Sequence, residues 1–190
     1  MKRYAVVTGA NRGMGLEKCR QSASNGVMVV LTARDEKKGT EALEKLKENG
    51  LSDLVVFHQL DVLDPSTIAS LSDFIKTQFA RLDILQLVGS QLEALKASAG
   101  REGIEIDWKA VTTQTYSMAE KCLETNYFGA KRIIRVLFPL LLLSDSPRIV
   151  NVSSTAGKLQ CILDSFCFCF FFIDLNHCKK YPNSIFSFHV

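Results

Sequence analysis

The sequence lacks the features that mark secreted, membrane-spanning and nucleic-acid-binding chains. Its amino terminus, MKRYAVVTGANRG, has no apolar stretch of the kind that a secretory signal carries, and no apolar run reaches the roughly 20 residues that a membrane span needs. The net charge is only +3, from 23 basic and 20 acidic residues in 190, which gives no reason to expect nucleic acid as a partner. We therefore expect one globular, cytoplasmic domain that binds neither a membrane nor a nucleic acid.

Cysteine is present but does not indicate a disulfide-bonded fold. Without a secretory signal, the six cysteines favour free thiols in a reducing compartment. Four of them, with seven of the twelve Phe, lie in residues 161–190, so the composition changes abruptly near Gln160. Phe, Cys, Ile and Ser have thymine-rich codons. We interpret 161–190 as an irregular apolar tail, translated from an intron, that follows a domain of residues 1–160. The Cys-x-Cys and His-Cys pairs of the tail lack zinc-ligand spacing, and no metal site is predicted.

Residues 1–154 alternate strand patterns with helix patterns. Five short runs have the nearly continuous hydrophobicity of parallel strands that are buried on both faces. They cover residues 4–8, 27–32, 54–60, 82–88 and 148–152. The helix patterns between them cover 13–25, 35–49, 64–79 and 113–143, and we expect Pro139 to disturb the last. This repetition predicts an α/β fold, a Rossmann-type doubly wound parallel sheet with about five strands, which the family resemblance described below implies is incomplete.

Two helix starts are marked by local residues. Asp35 is the expected N-cap of one helix, with Gly50 just beyond its carboxyl end. Asp64 and Pro65 are the expected N-cap and first residue of the next helix. These assignments predict where two of the strand-to-helix loops end.

A glycine-rich segment, Thr8 to Gly15 (TGANRGMG), follows the first strand and opens the first helix. Glycines let the backbone turn tightly and approach a pyrophosphate, which the N–H groups at the helix N-terminus then bind. The spacing is GxxxGxG rather than GxGxxG, and a glycine pattern alone also suits an ordinary tight turn. Its position after strand one of a strand–helix series favours a dinucleotide site.

The charges around this segment favour NADPH over NADH. A 2′-phosphate is bound by a cation, whereas a free ribose 2′-hydroxyl is bound by a carboxylate. Arg12 lies in the loop, and Arg34 lies directly after the second strand. Asp35 follows, but it is also the expected helix N-cap. Asp61, at the end of the third strand, has two open interpretations: a contact to the adenine amino group, or the start of a turn.

Six motifs occur in order along residues 4–160: TGANRGMG, LTAR, LDVLD, LDIL, ETNYFGAK and RIVNVSSTAGKL. This ordered set resembles the short-chain dehydrogenase/reductase family. Within that family it is similar to the plant NADPH-dependent carbonyl reductases of the salutaridine reductase and neomenthol dehydrogenase group. The resemblance implies NADP(H) as cofactor and the reduction of a ketone to an alcohol on a small terpenoid or alkaloid-like carbonyl substrate.

The resemblance also implies roles for individual residues. Asn126 matches an asparagine that helps to hold a proton-relay water, and Ser154 matches the serine that bonds the substrate carbonyl. The implied cofactor-binding residues are Gly9, Asn11, Arg12, Gly13, Met14, Gly15, Arg34, Asp61 and Val62.

The sequence departs from the family at two places. The family's Asn-Asn-Ala-Gly turn is absent after LDIL, where Gln86-Leu87-Val88-Gly89-Ser90 stands instead, and we interpret the stretch as a short deletion. The family's general acid is a Tyr with a Lys four residues later, beyond the serine. After Ser154 the only tyrosine is Tyr181, and Ile185 stands four residues on. A Tyr-x-x-x-Lys does begin at Tyr127, but it precedes the serine, and we reject it as the catalytic pair.

These departures define the alternatives for function. As a truncated reductase, the chain is expected to be weakly active or inactive. The alternative is a homologue that binds NADP(H) or a protein partner without catalysis, and a third reading is a product that does not fold stably. Because the family's later strands are missing, the fifth strand is expected to be an open sheet edge, through which the chain could self-associate.

Overall fold

A computed structural model of the protein describes residues 2–89 and 116–152. Within them, five parallel strands form one sheet in the order β3-β2-β1-β4-β5. The strands are β1 (Tyr4–Val7), β2 (Met28–Ala33), β3 (Val55–Gln59), β4 (Ile84–Val88) and β5 (Arg148–Val152). The predicted doubly wound parallel sheet is confirmed, and the strand ends lie within two residues of those expected. The apolar tail, 161–190, lies outside the described residues.

Helices connect the strands and begin where the sequence marks them. They are α1 (Gly13–Ser24), α2 (Glu36–Leu46), α3 (Pro65–Phe79), α4 (Tyr116–Leu123) and α5 (Ala130–Leu142). Asp35 caps α2 by accepting a hydrogen bond from Lys38 N–H at 3.0 Å, and Asp64 caps α3 by accepting from Ser66 N–H at 2.8 Å. A π-helical turn at Lys47–Leu51 and a 3₁₀ turn at Ser52–Leu54 join α2 to β3. Gly50 lies in the left-handed region, with φ of 77°.

The long helix pattern at 113–143 is interrupted, but not where we expected. Pro139 lies inside α5, which continues to Leu142. The interruption is a π-helical turn at Glu124–Gly129, between α4 and α5. Such turns insert an extra residue into a helix and are frequent at functional sites. This one contains Asn126.

The sheet is buried on both faces by two separate apolar clusters. On one face, α1 and α2 cover residues such as Val7 and Leu31. On the other, α3 and α5 supply Leu71, Ile75 and Leu137, each at 0 % exposure. This double coverage explains why the strands have continuous rather than alternating hydrophobicity. Among the described helices, none is long and apolar enough to cross a bilayer.

A buried carboxylate ties the amino-terminal edge of the sheet together. Asp83 precedes β4 and is only 5 % exposed. Its carboxylate accepts hydrogen bonds from Tyr4 N–H at 2.8 Å, from Ser144 Oγ at 2.5 Å and from Arg81 Nε at 3.3 Å. Since Asp83 is the Asp of the LDIL motif, that motif has a structural role: it joins β1, β4 and the loop before β5 at the end of the sheet opposite the glycine-rich segment.

Candidate functional site

The glycine-rich segment lies at the point where the strand order reverses. From β1 the chain proceeds through β2 to β3 on one side of the sheet, and β4 then pairs with the other side of β1. A crevice therefore opens at the carboxyl ends of β1 and β4, which is where open parallel α/β sheets bind their ligands. Residues 8–15 line this crevice as they pass from β1 into α1.

Three glycines of the segment are required by its geometry. Gly9 and Gly13 have φ of 60° and 56°, in the left-handed region that other residues rarely adopt. Gly15 is buried, and a methyl group on it would lie 2.5 Å from the Gly9 carbonyl oxygen and 2.8 Å from Ala10 Cα. The first turn of α1 thus packs directly on the loop. No side chain caps α1 at Arg12, so its first N–H groups are available to an anion.

The segment is anchored to both neighbours of β1. Thr8 Oγ1 accepts a hydrogen bond from Val88 N–H in β4 at 2.9 Å, and Ala10 N–H donates to the Thr32 carbonyl in β2 at 2.9 Å. A methyl group on Gly9 would lie 3.0 Å from the Val88 carbonyl oxygen. The loop is therefore bonded to both neighbouring strands, with the backbone of Gly9 against Val88 of β4. Thr8 was not assigned a role from the sequence, although its place before Gly9 was the signal that could have identified it.

Two arginines follow β1 and β2 at the carboxyl edge of the sheet, and the carboxylate next to Arg34 in the chain caps a helix. Arg12 and Arg34 are exposed, and within residues 2–89 and 116–152 neither guanidinium forms an ion pair. Asp35 instead serves as the N-cap of α2, and the backbone hydrogen bond from Lys38 lowers the pKa of its carboxyl below the ordinary value. Asn11 is half-buried and Met14 is 53 % exposed, so both lie at the surface of the loop.

The segment after β3 forms a short turn that is held by hydrogen bonds from side chains. Asp61 Oδ1 accepts a hydrogen bond from Leu63 N–H at 3.0 Å, which confirms that Asp61 begins a turn. Thr67 Oγ1 accepts from Asp61 N–H at 3.1 Å and donates to the Asp61 carbonyl at 2.8 Å. The other carboxylate oxygen, Oδ2, has no hydrogen-bond partner in the described part of the chain. Val62 lies between these pinned residues and is half-buried.

The π-helical turn brings Asn126 to the end of β4. A methyl group on Gly89, the residue after β4, would lie 3.0 Å from Asn126 Oδ1. Asn126 Nδ2 donates a hydrogen bond to Cys122 Sγ, one turn earlier, at 3.3 Å. In the same turn Gly129 contacts Val62, so the Asn-bearing segment reaches the loops that follow β3 and β4. Lys131 Nζ lies 5.8 Å from the centre of the Tyr127 ring.

The structure thus assembles the cofactor-binding candidates and one of the two catalytic candidates along one edge of the sheet. Gly9 lies against β4, Val62 against Gly129 and Asn126 against Gly89. Ser154, the second catalytic candidate, lies outside the described residues. So do residues 90–115, where most of the expected deletion falls. Neither Gly89 nor Gly129 was predicted from the sequence as a site residue, although the motif ETNYFGAK includes Gly129.

One residue of the stretch that departs from the family is poorly satisfied. Gln86 lies in the middle of β4, and its Nε2 donates to Ser22 Oγ in α1 at 3.3 Å. Its Oε1 is buried and has no hydrogen-bond partner among the residues that the structure describes. β4 nevertheless keeps its register, with β1 as far as Gln86 and with β5 as far as Val88. The departure therefore changes the side chains of β4 without breaking the strand.

Comparison with known proteins identifies the class to which this fold and site belong. The family model for short chain dehydrogenases matches residues 3–165. The chain belongs to that family, as the six ordered motifs predicted. The matched range begins one residue before the predicted match and ends five residues after it.

Among its relatives, (+)-neomenthol dehydrogenase of Arabidopsis thaliana is 54% identical over 170 residues, which cover 85% of this chain and 57% of that protein. A more distant relative, carbonyl reductase [NADPH] 1 of Bos taurus, is 38% identical over 79% of this chain and 48% of its own length. The chain therefore spans about half the length of these curated relatives.

Solved structures support the same assignment. Menthone neomenthol reductase from Mentha piperita superposes with a TM-score of 0.71 at 45% identity, over 85% of this chain and 63% of that one. Salutaridine reductase from Papaver somniferum gives a TM-score of 0.69 at 48% identity, over 84% and 60% of the two chains.

Proposed function

We propose that this chain binds NADP(H) at the carboxyl edge of its sheet, with the pyrophosphate over the N-terminus of α1. The observation that carries the proposal is the position of the glycine-rich segment, at the point where the order of strands in the sheet reverses. Gly9, Gly13 and Gly15 each meet a requirement that a side chain would violate, and the uncapped N–H groups of α1 face the same crevice. A loop of this shape lets a backbone approach a phosphate group closely.

The charges around the crevice support the phosphorylated cofactor. Arg34 follows β2 and Arg12 opens α1, so both guanidinium groups are placed to pair with a 2′-phosphate. The carboxylate that would bind a free 2′-hydroxyl, Asp35, is engaged with Lys38. The relative from Bos taurus is named for NADPH, which agrees with this assignment.

The adenine ring is proposed to lie against the turn after β3. Asp61 uses Oδ1 within its own turn, and Oδ2 remains to accept a hydrogen bond from the adenine amino group. Val62 provides an apolar surface beside it. The two interpretations of Asp61 from the sequence are therefore compatible, since one carboxylate oxygen serves each.

We further propose the family reaction, reduction of a ketone to an alcohol on a small terpenoid or alkaloid-like substrate. Bound NADPH supplies the hydride that reaches the carbonyl carbon, and a proton must reach the carbonyl oxygen. Asn126 lies beside Gly89, the residue after β4, and is proposed to hold a water on the proton path. Ser154 is proposed to donate a hydrogen bond to the substrate oxygen. The named relatives act on menthone-type or salutaridine-type molecules, which suggests the substrate class.

The 190-residue chain itself is proposed to bind the cofactor with little or no turnover. No Tyr-x-x-x-Lys pair follows Ser154 in it, and loss of a positioned proton donor lowers rates by about 10²–10⁴-fold. The alternative function, an NADP(H)-binding or partner-binding homologue without catalysis, is favoured by this same observation. Cytoplasmic location, and self-association through the edge strand β5, remain further proposals for the same chain.

A binding titration and a turnover assay test the two parts of the proposal. The purified chain is titrated with NADPH and with NADH, and nicotinamide fluorescence reports binding. We expect saturable NADPH binding, at least about tenfold tighter than NADH binding, because a charge-assisted phosphate contact is lost in NADH. Absence of NADPH binding by folded chain overturns the cofactor assignment. Menthone-dependent NADPH oxidation at more than about 10 s⁻¹, a typical enzyme rate, overturns the proposed inactivity.

The division of the chain is proposed as residues 1–160 for the nucleotide-binding domain and 161–190 for a translated intron. The family match to residue 165 supports the first part. Quantitative peptide mass spectrometry of the source tissue tests the second. Peptides from 161–190 at the abundance of peptides from 2–89 would show that the tail is an ordinary part of the protein.

A further inference from the structure

The turn that carries Asn126 rests on the adenine-side loop through a residue without a side chain. Gly129 is buried, and a methyl group on it would lie 2.6 Å from Val62 Cγ2 and 3.0 Å from Val62 Cβ. Carbon atoms in a packed interior do not approach each other this closely. Any side chain at position 129 therefore forces Val62 or the helical segment to move.

Val62 has little freedom to move aside. Thr67 holds both backbone polar atoms of Asp61, the residue before it. Asp61 in turn holds the N–H of Leu63, the residue after it, at 3.0 Å. The side chain of Val62 is β-branched and therefore stiff at χ1. The contact between Val62 and Gly129 thus joins two segments, the turn after β3 and the π-helical turn, and neither can shift easily.

The same turn also contacts the end of β4. Asn126 lies three residues before Gly129, and its Oδ1 is the atom nearest to a methyl group built on Gly89, at 3.0 Å. One helical segment is thus seated on the β3 loop through Gly129 and beside β4 through Asn126. Because both contacts belong to one segment, a shift at one of them displaces the other.

We infer that Gly129 is a positioning residue of the nucleotide site. Its missing side chain lets Val62 keep its position beside the adenine, and lets the π-helical turn hold Asn126 at β4. The ligand portion affected is the adenine ring. This inference rests on the NADP(H) binding that we propose above, and it adds a residue that contacts neither the phosphates nor the reacting atoms.

The test is a double-mutant cycle in the full 190-residue chain. Dissociation constants for adenosine 2′,5′-bisphosphate are measured by calorimetry and those for NADPH by fluorescence, in Gly129→Ala, Val62→Ala and the combined variant. Gly129→Ala is expected to weaken both ligands about tenfold, because overpacking displaces Val62. In the combined variant the methyl group finds the space that the valine methyls leave. We expect its affinity to return to within about threefold of that of Val62→Ala.

Controls separate this role from a general loss of structure. Val136→Ala, on the same helix at a position 39 % exposed, is expected to leave both affinities unchanged. Far-UV circular dichroism and thermal unfolding are recorded for every variant. If Gly129→Ala does not fold, the comparison of the combined variant with Val62→Ala still decides the matter, since equal affinity supports the inference and a loss in the combined variant overturns it.

Two results overturn the inference while leaving the proposed function intact. One is wild-type affinity in a folded Gly129→Ala variant. The other is a loss in Gly129→Ala that Val62→Ala does not rescue, which would place the effect elsewhere. Failure of the unaltered chain to bind either ligand overturns the proposed function, and the inference about binding with it. Coupling between positions 62 and 129 in thermal unfolding would then show that the contact serves packing alone.

Discussion

The sheet has two sides about the point where its strand order reverses: an adenosine side at β1, β2 and β3, and a proposed catalytic side at β4 and β5. These two sides are assembled in different ways. The proposed adenosine-binding side is one continuous stretch, from β1 through the turn at Asp61, and each of its proposed contacts lies in a loop that directly follows a strand or in the first turn of α1. The catalytic side combines the end of β4 with a helix that begins more than 25 residues later in the chain, and its second candidate, Ser154, follows β5. The proposed nucleotide site therefore depends on local strand–helix units, whereas the proposed catalytic residues come from segments that are distant in the chain.

This difference has a functional consequence. A change in β4 leaves the loops of the adenosine side complete, as in this chain, where the stretch that departs from the family begins at Gln86, in the middle of β4. We therefore expect binding and turnover to be separable by substitution. The four predictions below test that separation, in decreasing order of expected effect.

The largest effect is expected from Gly15→Ala. Its methyl group would lie 2.5 Å from a backbone oxygen and 2.8 Å from a backbone carbon, neither of which can move without reshaping the glycine-rich segment. We expect NADPH affinity to fall by about 100-fold. The control is Gly26→Ala, which has φ of 77° and no neighbour within 4 Å of the added methyl. It should lower the melting temperature without changing affinity, and equal losses of affinity in both variants would contradict the prediction.

A smaller, selective effect is expected from Arg34→Ala. Removal of a charge-assisted contact to the 2′-phosphate should weaken NADPH binding by about tenfold and leave NADH binding unchanged. Fluorescence titration with the two nucleotides measures the ratio. Arg20→Ala serves as the matched control, since Arg20 is an exposed arginine that pairs with Glu17 at 2.6 Å. Equal weakening of both nucleotides by Arg34→Ala would show that Arg34 acts on folding and not on the 2′-phosphate.

Gln86→Val changes a residue of β4, on the proposed catalytic side, and is expected to leave the proposed nucleotide contacts unchanged. The substitution removes a buried oxygen that lacks a partner in the described structure, and it introduces a residue suited to a central strand. We expect a gain of about 1 kcal/mol, or about 3 °C in melting temperature, with unchanged NADPH affinity. Ser22→Ala, which removes the partner of Gln86 Nε2, should instead lower stability. A destabilised Gln86→Val variant would mean that the amide contributes more than its unsatisfied oxygen costs.

The smallest effect is expected from Gly89→Ala. Its methyl group would lie 3.0 Å from Asn126 Oδ1, a side-chain atom that can give way by a few tenths of an ångström. NADPH affinity should change by only about two- to threefold. Emission from the bound nicotinamide should change, while affinity for adenosine 2′,5′-bisphosphate, which lacks that ring, should not. A parallel loss for both ligands would show that the two sides are more tightly joined than the chain order suggests.

Much of the adenosine side was predictable because its signals are local. The N-cap roles of Asp35 and Asp64 follow from residue type and position, and the structure confirms both. The glycine segment was predictable because left-handed backbone angles leave few choices other than glycine. Asp61 was only partly predictable: the sequence showed a turn or a ligand contact, and the hydrogen bond from Leu63 settles the turn.

The catalytic side was harder to predict, and the expected break at Pro139 was wrong. The helix is interrupted at Glu124–Gly129 instead. Nothing in the hydrophobic period of 113–143 marks a π-helical turn, because one extra residue in a helix is a response to what the helix packs against. Asp83 is similar: the LDIL motif was recognised, but its hydrogen bonds to Tyr4 and Ser144 join residues 79 and 61 positions apart.

The sequence by itself determined the alternation of strands and helices, the helix caps, the glycine-rich segment and the charge beside it, because each depends on the preferences of a few neighbouring residues. Only the tertiary structure decided that Gly129 lies against Val62, that Gly89 lies against Asn126 and that Thr8 joins β1 to β4. Such contacts depend on the order in which strands pair. A glycine that makes room for a side chain far away in the sequence leaves no periodic pattern. Its partner can therefore be identified only from the folded structure.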